Sequence, residues 1–287
     1  MTSSTKTLIL TPNLERDAVK TLFHPIISKG ETMTMIPVAE SSRKLSPPIV
    51  TWIIITINVL VFFYFLLQGV RVFEKAIITL GMIPWYIIRG RRLYTLITSM
   101  FMHGSLEHLF GNMIYLYVFG PGVENRLGKA RYLALYFLSG LFADFIHILI
   151  NVLFTQPIIV YGPFGYSVID PLKIPCVGAS GAISGILGAY FVLLPNVHLD
   201  VFTMMGPFPF VIRVPAAVFI FTWFIYQLYL GVLSLALPAP YYSGIAFWAH
   251  IGGWIGGLLL GLSLGRRARK VKKIYRHGRI WYEIPVT

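Results

Sequence analysis

Six stretches of roughly 20 mostly apolar residues run through this chain, and a segment of that length and polarity settles as a helix across a bilayer core about 30 Å thick. They extend approximately from Ile49 to Gly69, Glu107 to Val123, Ala130 to Phe154, Gly178 to Pro195, Phe210 to Leu237 and Ile245 to Gly265. Only 12% of the 287 residues are charged and the mean hydropathy is +0.72, against roughly 25% charged in an ordinary soluble domain. The expected fold is all-α, a polytopic membrane bundle of six transmembrane helices. It occupies residues 48–265, after an N-terminal segment 1–47 expected to be cytoplasmic and flexible, and before a basic cytoplasmic tail 266–287.

An even number of spans puts both termini on one side, and basic residues collect in cytoplasmic segments. With the termini inside, Arg71, Lys75, Arg89, Arg91, Arg92 and Lys173 face outward, and the other eighteen of the 24 Lys and Arg residues face inward. The sequence thus reads as a multi-pass protein of the cell membrane with cytoplasmic termini. The one blemish is the Arg89–Arg92 cluster, which gathers three of the six outward charges on the disfavoured side. The first loop, Val70 to Leu106, carries Trp85, Tyr86 and Tyr94 among apolar residues, as a segment lying in the headgroup interface does. A basic run beside a span points to anionic lipid heads as the tail's partner, and not to nucleic acid. The single cysteine, Cys176, excludes an internal disulfide and a cysteine metal site. No metal or phosphate motif stands out, so neither a metal nor any other cofactor is expected.

In this orientation the second, fourth and sixth spans all enter from the outer face. Ser180 lies fifteen residues above Pro195, and His250 fifteen above Gly265. At 1.5 Å per residue each side chain stands about 22 Å above the inner boundary, about 8 Å below the outer surface. That depth is shallow enough for water to reach through a cavity, as hydrolysis requires. A serine hydroxyl becomes a competent nucleophile when a base takes its proton, and histidine is the usual base. His108 and Asn112, one turn apart on the second span, share a face at the same level. Both can donate hydrogen bonds to a developing oxyanion, together with the backbone N–H of Ser180 at a helix N-terminus. Glycines at four-residue spacing, Gly181 and Gly185 on the fourth span and Gly253, Gly257 and Gly261 on the sixth, let transmembrane backbones approach closely.

Three segments carry a family resemblance: HGSLEHLFGNMIYLYVFGPGVENRLG (His103 to Gly128), GASGAISGILGAYF (Gly178 to Phe191) and AHIGGWIGG (Ala249 to Gly257). In that order, on three separate spans, they resemble the signatures of the rhomboid intramembrane serine proteases, and the likeness runs from about Ile49 to Gly265. It implies a six-helix rhomboid-like bundle that cleaves single-span or other membrane proteins in or near their transmembrane segments. It also implies Ser180 as nucleophile, His250 as base, His108 and Asn112 as oxyanion donors, no acidic third member, and a structural Glu124. The chain departs from the family in two places. Tyr94 and Thr95 stand where Trp-Arg is frequent. Ser184 replaces a frequent aromatic that packs on the histidine, which implies an imidazole oriented differently here.

A lone serine in a membrane helix usually bonds a carbonyl or a neighbouring helix; it is the combination with His250, His108 and Asn112 that singles out Ser180. Ser184, one turn deeper by about 6 Å, reads as a packing residue. Asp144 and His147 read as an i, i+3 pair, and His103 as a residue at the edge of the second span, outside the catalytic set. The long third loop, Thr155 to Val177, is expected to cover or gate the site. The competing function is a protease-inactive rhomboid-like protein that binds membrane clients; such relatives lose the serine or the histidine, and both are present. A transporter would show inverted repeats or charged midplane residues, and no repeat is visible.

Overall fold

The computed structural model describes residues 35–40, 42–44, 46–162, 165–205, 208–236, 245–265, 272–276 and 279–284. Most of the N-terminal segment expected to be flexible, and part of the basic tail, lie outside them. The protein is a mostly helical polytopic membrane protein. Its longer helices are α1 (Ile49–Leu66), α5 (Leu106–Leu127), α6 (Lys129–Phe154), α7 (Ser180–Leu193), α8 (Ala216–Ala236) and α9 (Phe247–Gly265), with α2 (Val70–Leu80), α3 (Pro84–Ile87) and α4 (Thr95–Thr98) in the first loop. Helices α1, α6, α8 and α9 are long and apolar enough to cross a membrane. Helix α5 has the length but carries Glu107, Glu124 and Arg126 near its ends. Helix α7 is apolar but, at 14 residues, only about 21 Å long.

Strands modify the all-α expectation. β1 (Ile36–Glu40), β5 (His198–Met205) and β6 (Phe208–Pro215) form one antiparallel sheet in the order β1-β5-β6. β2 (Ser42–Lys44) pairs in parallel with β8 (Arg279–Ile284), which pairs antiparallel with β7 (Lys272–Arg276). β3 (Ile158–Gly162) and β4 (Gly165–Ile169) form a hairpin within the third loop. The fifth long helix therefore starts at Ala216, not near Phe210. Phe210 to Pro215 are β-branched, aromatic or proline at most positions, and their backbone is taken up by pairing with β5 from Thr203 back to His198, an arrangement such side chains favour. Because β1 precedes α1 and β5 follows α7, the first sheet lies at the end of the bundle opposite Ser180.

Two arginines of the first loop lie over its aromatic rings. The Arg89 guanidinium lies 4.0 Å from the centre of the Trp85 ring and that of Arg92 4.2 Å from Tyr86, and Arg92 also donates to the Ile78 carbonyl. Helix α2 buries Phe73, Ala76 and Ile77 on one face.

At the start of α1, Pro48 offers no capping side chain. Glu124 of α5 does this from across the bundle: its carboxylate accepts from the N–H groups of Val50 and Thr51 and from the Thr51 hydroxyl, at 3.0, 2.8 and 2.8 Å. Asn125 bonds both backbone groups of Ser46. The carboxylate thus satisfies helix N–H donors that would otherwise be orphaned in a buried place. Glu124→Ala is expected to lower stability by about 3 kcal/mol and Glu124→Gln, which keeps an acceptor, by clearly less. Thermal unfolding in detergent measures both.

Candidate active site

Ser180 is the first residue of α7, so its N–H has no acceptor within the helix. The turn that delivers it is strapped to the first loop. Cys176 and Met82 exchange backbone hydrogen bonds at 3.0 and 2.7 Å, and Gly178 donates to the Ser99 carbonyl. Gly178 has φ +125°, and a Cβ there would stand 2.7 Å from the His108 ring. Both its backbone conformation and the approach of that imidazole require glycine.

Helices α7 and α9 touch backbone to backbone. A Cβ on Gly253 would meet the Gly181 carbonyl oxygen at 2.0 Å, and one on Gly257 the Gly185 oxygen at 1.9 Å. This contact brings His250, one turn before that seam, to the nucleophile: Nε2 lies 2.8 Å from the Ser180 Oγ. On its other side, Nδ1 lies 2.8 Å from Oε1 of Gln227, on α8. With the carboxamide oxygen, which can only accept, turned to Nδ1, the matching tautomer carries its proton on Nδ1 and leaves Nε2 to accept from the serine hydroxyl. The Trp223 ring, one turn before Gln227, lies 6.0 Å from the imidazole at 34°.

Ser184 is buried and donates to the Ser180 carbonyl at 2.7 Å, which occupies its only proton. His108 reaches the Ser180 turn from α5, with Ser105 capping that helix by accepting from the His108 N–H. Asn112 donates one amide hydrogen to the His108 carbonyl at 2.9 Å and has a second to offer. His103 is wholly buried, its ring edge-on to His108 at 5.1 Å. Burial, with the neighbouring His108, pulls its imidazole down to about 3, so it stays neutral.

The structure does not pair Asp144 with His147. The His147 ring turns to Asn151, at i+4, whose amide nitrogen lies 3.3 Å from Nε2. Asp144 instead lines a cavity with Ser180, Gly181, Met100 and Ala249, its Oδ2 buried without a hydrogen-bond partner. Gln227 and Trp223 were not among the residues the sequence singled out. The only signal for Gln227 is that it is the one carboxamide in a mostly apolar 21-residue helix, a place where strongly polar groups are rare and tend to be functional.

Residues 90–267 match the family model of the rhomboid domain. Over 174 residues, 58% of this chain and 53% of the relative, the sequence is 32% identical to rhomboid protease AarA of Providencia stuartii. Over 192 residues, 64% and 48% of the two chains, it is 28% identical to a mitochondrial RHOMBOID-like protein 6 of Arabidopsis thaliana. It is 36% identical over 111 residues to the mitochondrial RHOMBOID-like protein 12 of the same plant, covering 39% of this chain and 32% of that one. The chain thus spans about half or less of the length of these relatives.

Proposed function

The chain belongs to the rhomboid family, and from that membership we propose that it is an intramembrane serine endopeptidase cutting membrane proteins in or near their transmembrane segments. The observation that carries the proposal is the 2.8 Å contact between the Ser180 Oγ and the His250 Nε2. In this reading all six long helices cross the bilayer, and the β1-β5-β6 sheet and both termini are on the cytoplasmic side. The shortness of α7 has a use in it. A helix of about 21 Å in a core of about 30 Å leaves its first residue recessed by about 9 Å, at the floor of an outward-facing cavity.

His250 takes the hydroxyl proton as the Ser180 oxygen attacks the scissile carbonyl. The negative charge arising on the carbonyl oxygen is met by the Ser180 N–H, His108 and the remaining N–H of Asn112. The imidazolium returns its proton to the leaving nitrogen, and the peptide bond breaks to an acyl-serine. Water, deprotonated by the same imidazole, then releases the acid and restores the serine. No metal or cofactor enters these steps. The substrate class, single-span and other membrane proteins, is what membership of the rhomboid family implies.

The test is incubation of the purified protein in detergent or vesicles with a panel of single-span substrates, beside Ser180→Ala. Cleavage by the unaltered chain alone is expected. Substrates held but uncut would overturn the protease reading in favour of client binding. Asn112→Ala is expected to reduce kcat by about 10²–10³-fold with little change in KM, because an oxyanion donor acts in the transition state. A change in KM alone would instead make Asn112 a substrate-positioning residue.

A further inference from the structure

We infer that Gln227 is a positioning residue for the base: it fixes the tautomer and the ring orientation of His250, the place a carboxylate takes in soluble serine proteases. The inference rests on the protease reading. An imidazole held by one contact can rotate about its bond to Cβ, or carry its proton on Nε2, and in either state it cannot receive the serine proton. The carboxamide oxygen of Gln227, 2.8 Å from Nδ1, removes both freedoms, since it accepts only from Nδ1–H and does so along one direction. Gln227 is itself held. It is 7% exposed, and one turn further along, a Cβ on Gly231 would stand 2.9 Å from Ile251, so α8 and α9 are in contact beside it. Ser184, where the family often has an aromatic on the histidine, turns its hydroxyl to the Ser180 carbonyl. The groups flanking the imidazole come from α8 instead, Gln227 at its edge and Trp223 beside its face.

An amide differs from a carboxylate in a way that can be measured. It orients the neutral ring but contributes no negative charge to the imidazolium formed during reaction. The titratable side chains that act on the ring are His108 on α5 and His147 on α6, and the one carboxyl nearby, Asp144 on α6, lines the cavity beside Ser180 and Ala249 and not the Nδ1 side that Gln227 occupies. Gln227→Glu therefore keeps the acceptor and adds a charge that favours protonated His250, while Gln227→Leu removes the acceptor.

The experiment is the rate of fluorophosphonate labelling of Ser180 as a function of pH, in the full chain in detergent, with mass spectrometry locating the adduct and Ser180→Ala as the blank. Gln227→Leu is expected to label at least about tenfold more slowly on the high-pH plateau, a part of the roughly 10²–10⁴-fold that general-base catalysis supplies. Gln227→Glu is expected to approach the unaltered plateau, with its acidic limb displaced upward by about one pH unit or more. Leu labelling like the unaltered chain, or a slow Leu variant together with a Glu profile whose limb does not move, overturns the inference and leaves Gln227 a packing residue. If Gln227→Leu does not fold, the limb of Gln227→Glu decides alone. If the unaltered chain does not label at Ser180, the protease reading fails and this inference fails with it, an outcome distinct from normal labelling that is indifferent to position 227.

Discussion

Ser180→Ala and His250→Ala are each expected to abolish proteolysis, by several orders of magnitude and to about the same extent, because a nucleophile and its base act as a unit whose members are not additive. The stability cost should be small for the serine. Its hydroxyl makes one hydrogen bond, to Nε2, worth about 1 kcal/mol, and it lies at the first position of α7 rather than in the packed seam below. A Ser180→Ala variant that is inactive yet unfolds near the unaltered midpoint separates chemistry from folding. Activity lost in Ser184→Ala but kept in Ser180→Ala would move the nucleophile one turn inward, against the observation that the Ser184 proton is already donated to a carbonyl. The same pair sets the sign of the pH dependence. The base role proposed for His250 requires an unprotonated Nε2, so turnover should rise with pH through its titration and level off above it. A rate that falls over that range would mean that His250 acts as an acid in the limiting step.

Residues whose placement follows from helical spacing and depth were legible before any coordinates. Ser180 and His250 each stand fifteen residues before the ends read for their apolar runs, Pro195 and Gly265, His108 and Asn112 are one turn apart, and the glycine stripes mark where two backbones touch. All of this follows from a rise of 1.5 Å per residue and a period of 3.6. What was not legible depends on partners far away in sequence. Gln227 has nothing in its own helix to mark it beyond being polar, and whether it faces His250 is set by the rotation of α8 against Ile251. The segment Phe210 to Pro215 is apolar enough for a span and β-branched enough for a strand, and the registered partners in β5 decide between them. Asp144 and His147 have the spacing of a pair, but Asn151 has it too, and the imidazole bonds there, leaving the carboxyl in the cavity beside Ser180. In the Arg89–Arg92 cluster, awkward for a rule that counts charges by side, the guanidiniums of Arg89 and Arg92 lie over the rings of Trp85 and Tyr86, partners that the rule does not consider.

The α7–α9 seam yields the second large effect, one that touches neither reacting side chain. Gly257→Ala adds a single methyl where a Cβ would stand 1.9 Å from the Gly185 carbonyl oxygen and 2.4 Å from its Cα. The obstacle is backbone, so no side chain can swing aside, and α9 has to move away from α7. Forced overpacking of this kind costs about 1–3 kcal/mol or more. The larger consequence is geometric. His250 lies two turns along the same rigid helix, and a displacement of about 1 Å between base and nucleophile can reduce a rate by on the order of 10²-fold. Gly257→Ala should therefore lose about that much turnover with Ser180 and His250 both present, and it should unfold at a lower temperature. Leu259→Ala is the matched control, on the same helix but 55% exposed, and it should leave turnover within a few-fold of the unaltered chain. Cleavage by Gly257→Ala at the rate of that control would mean that the two backbones are not in contact in the membrane, and the seam would then no longer account for how the histidine reaches the serine.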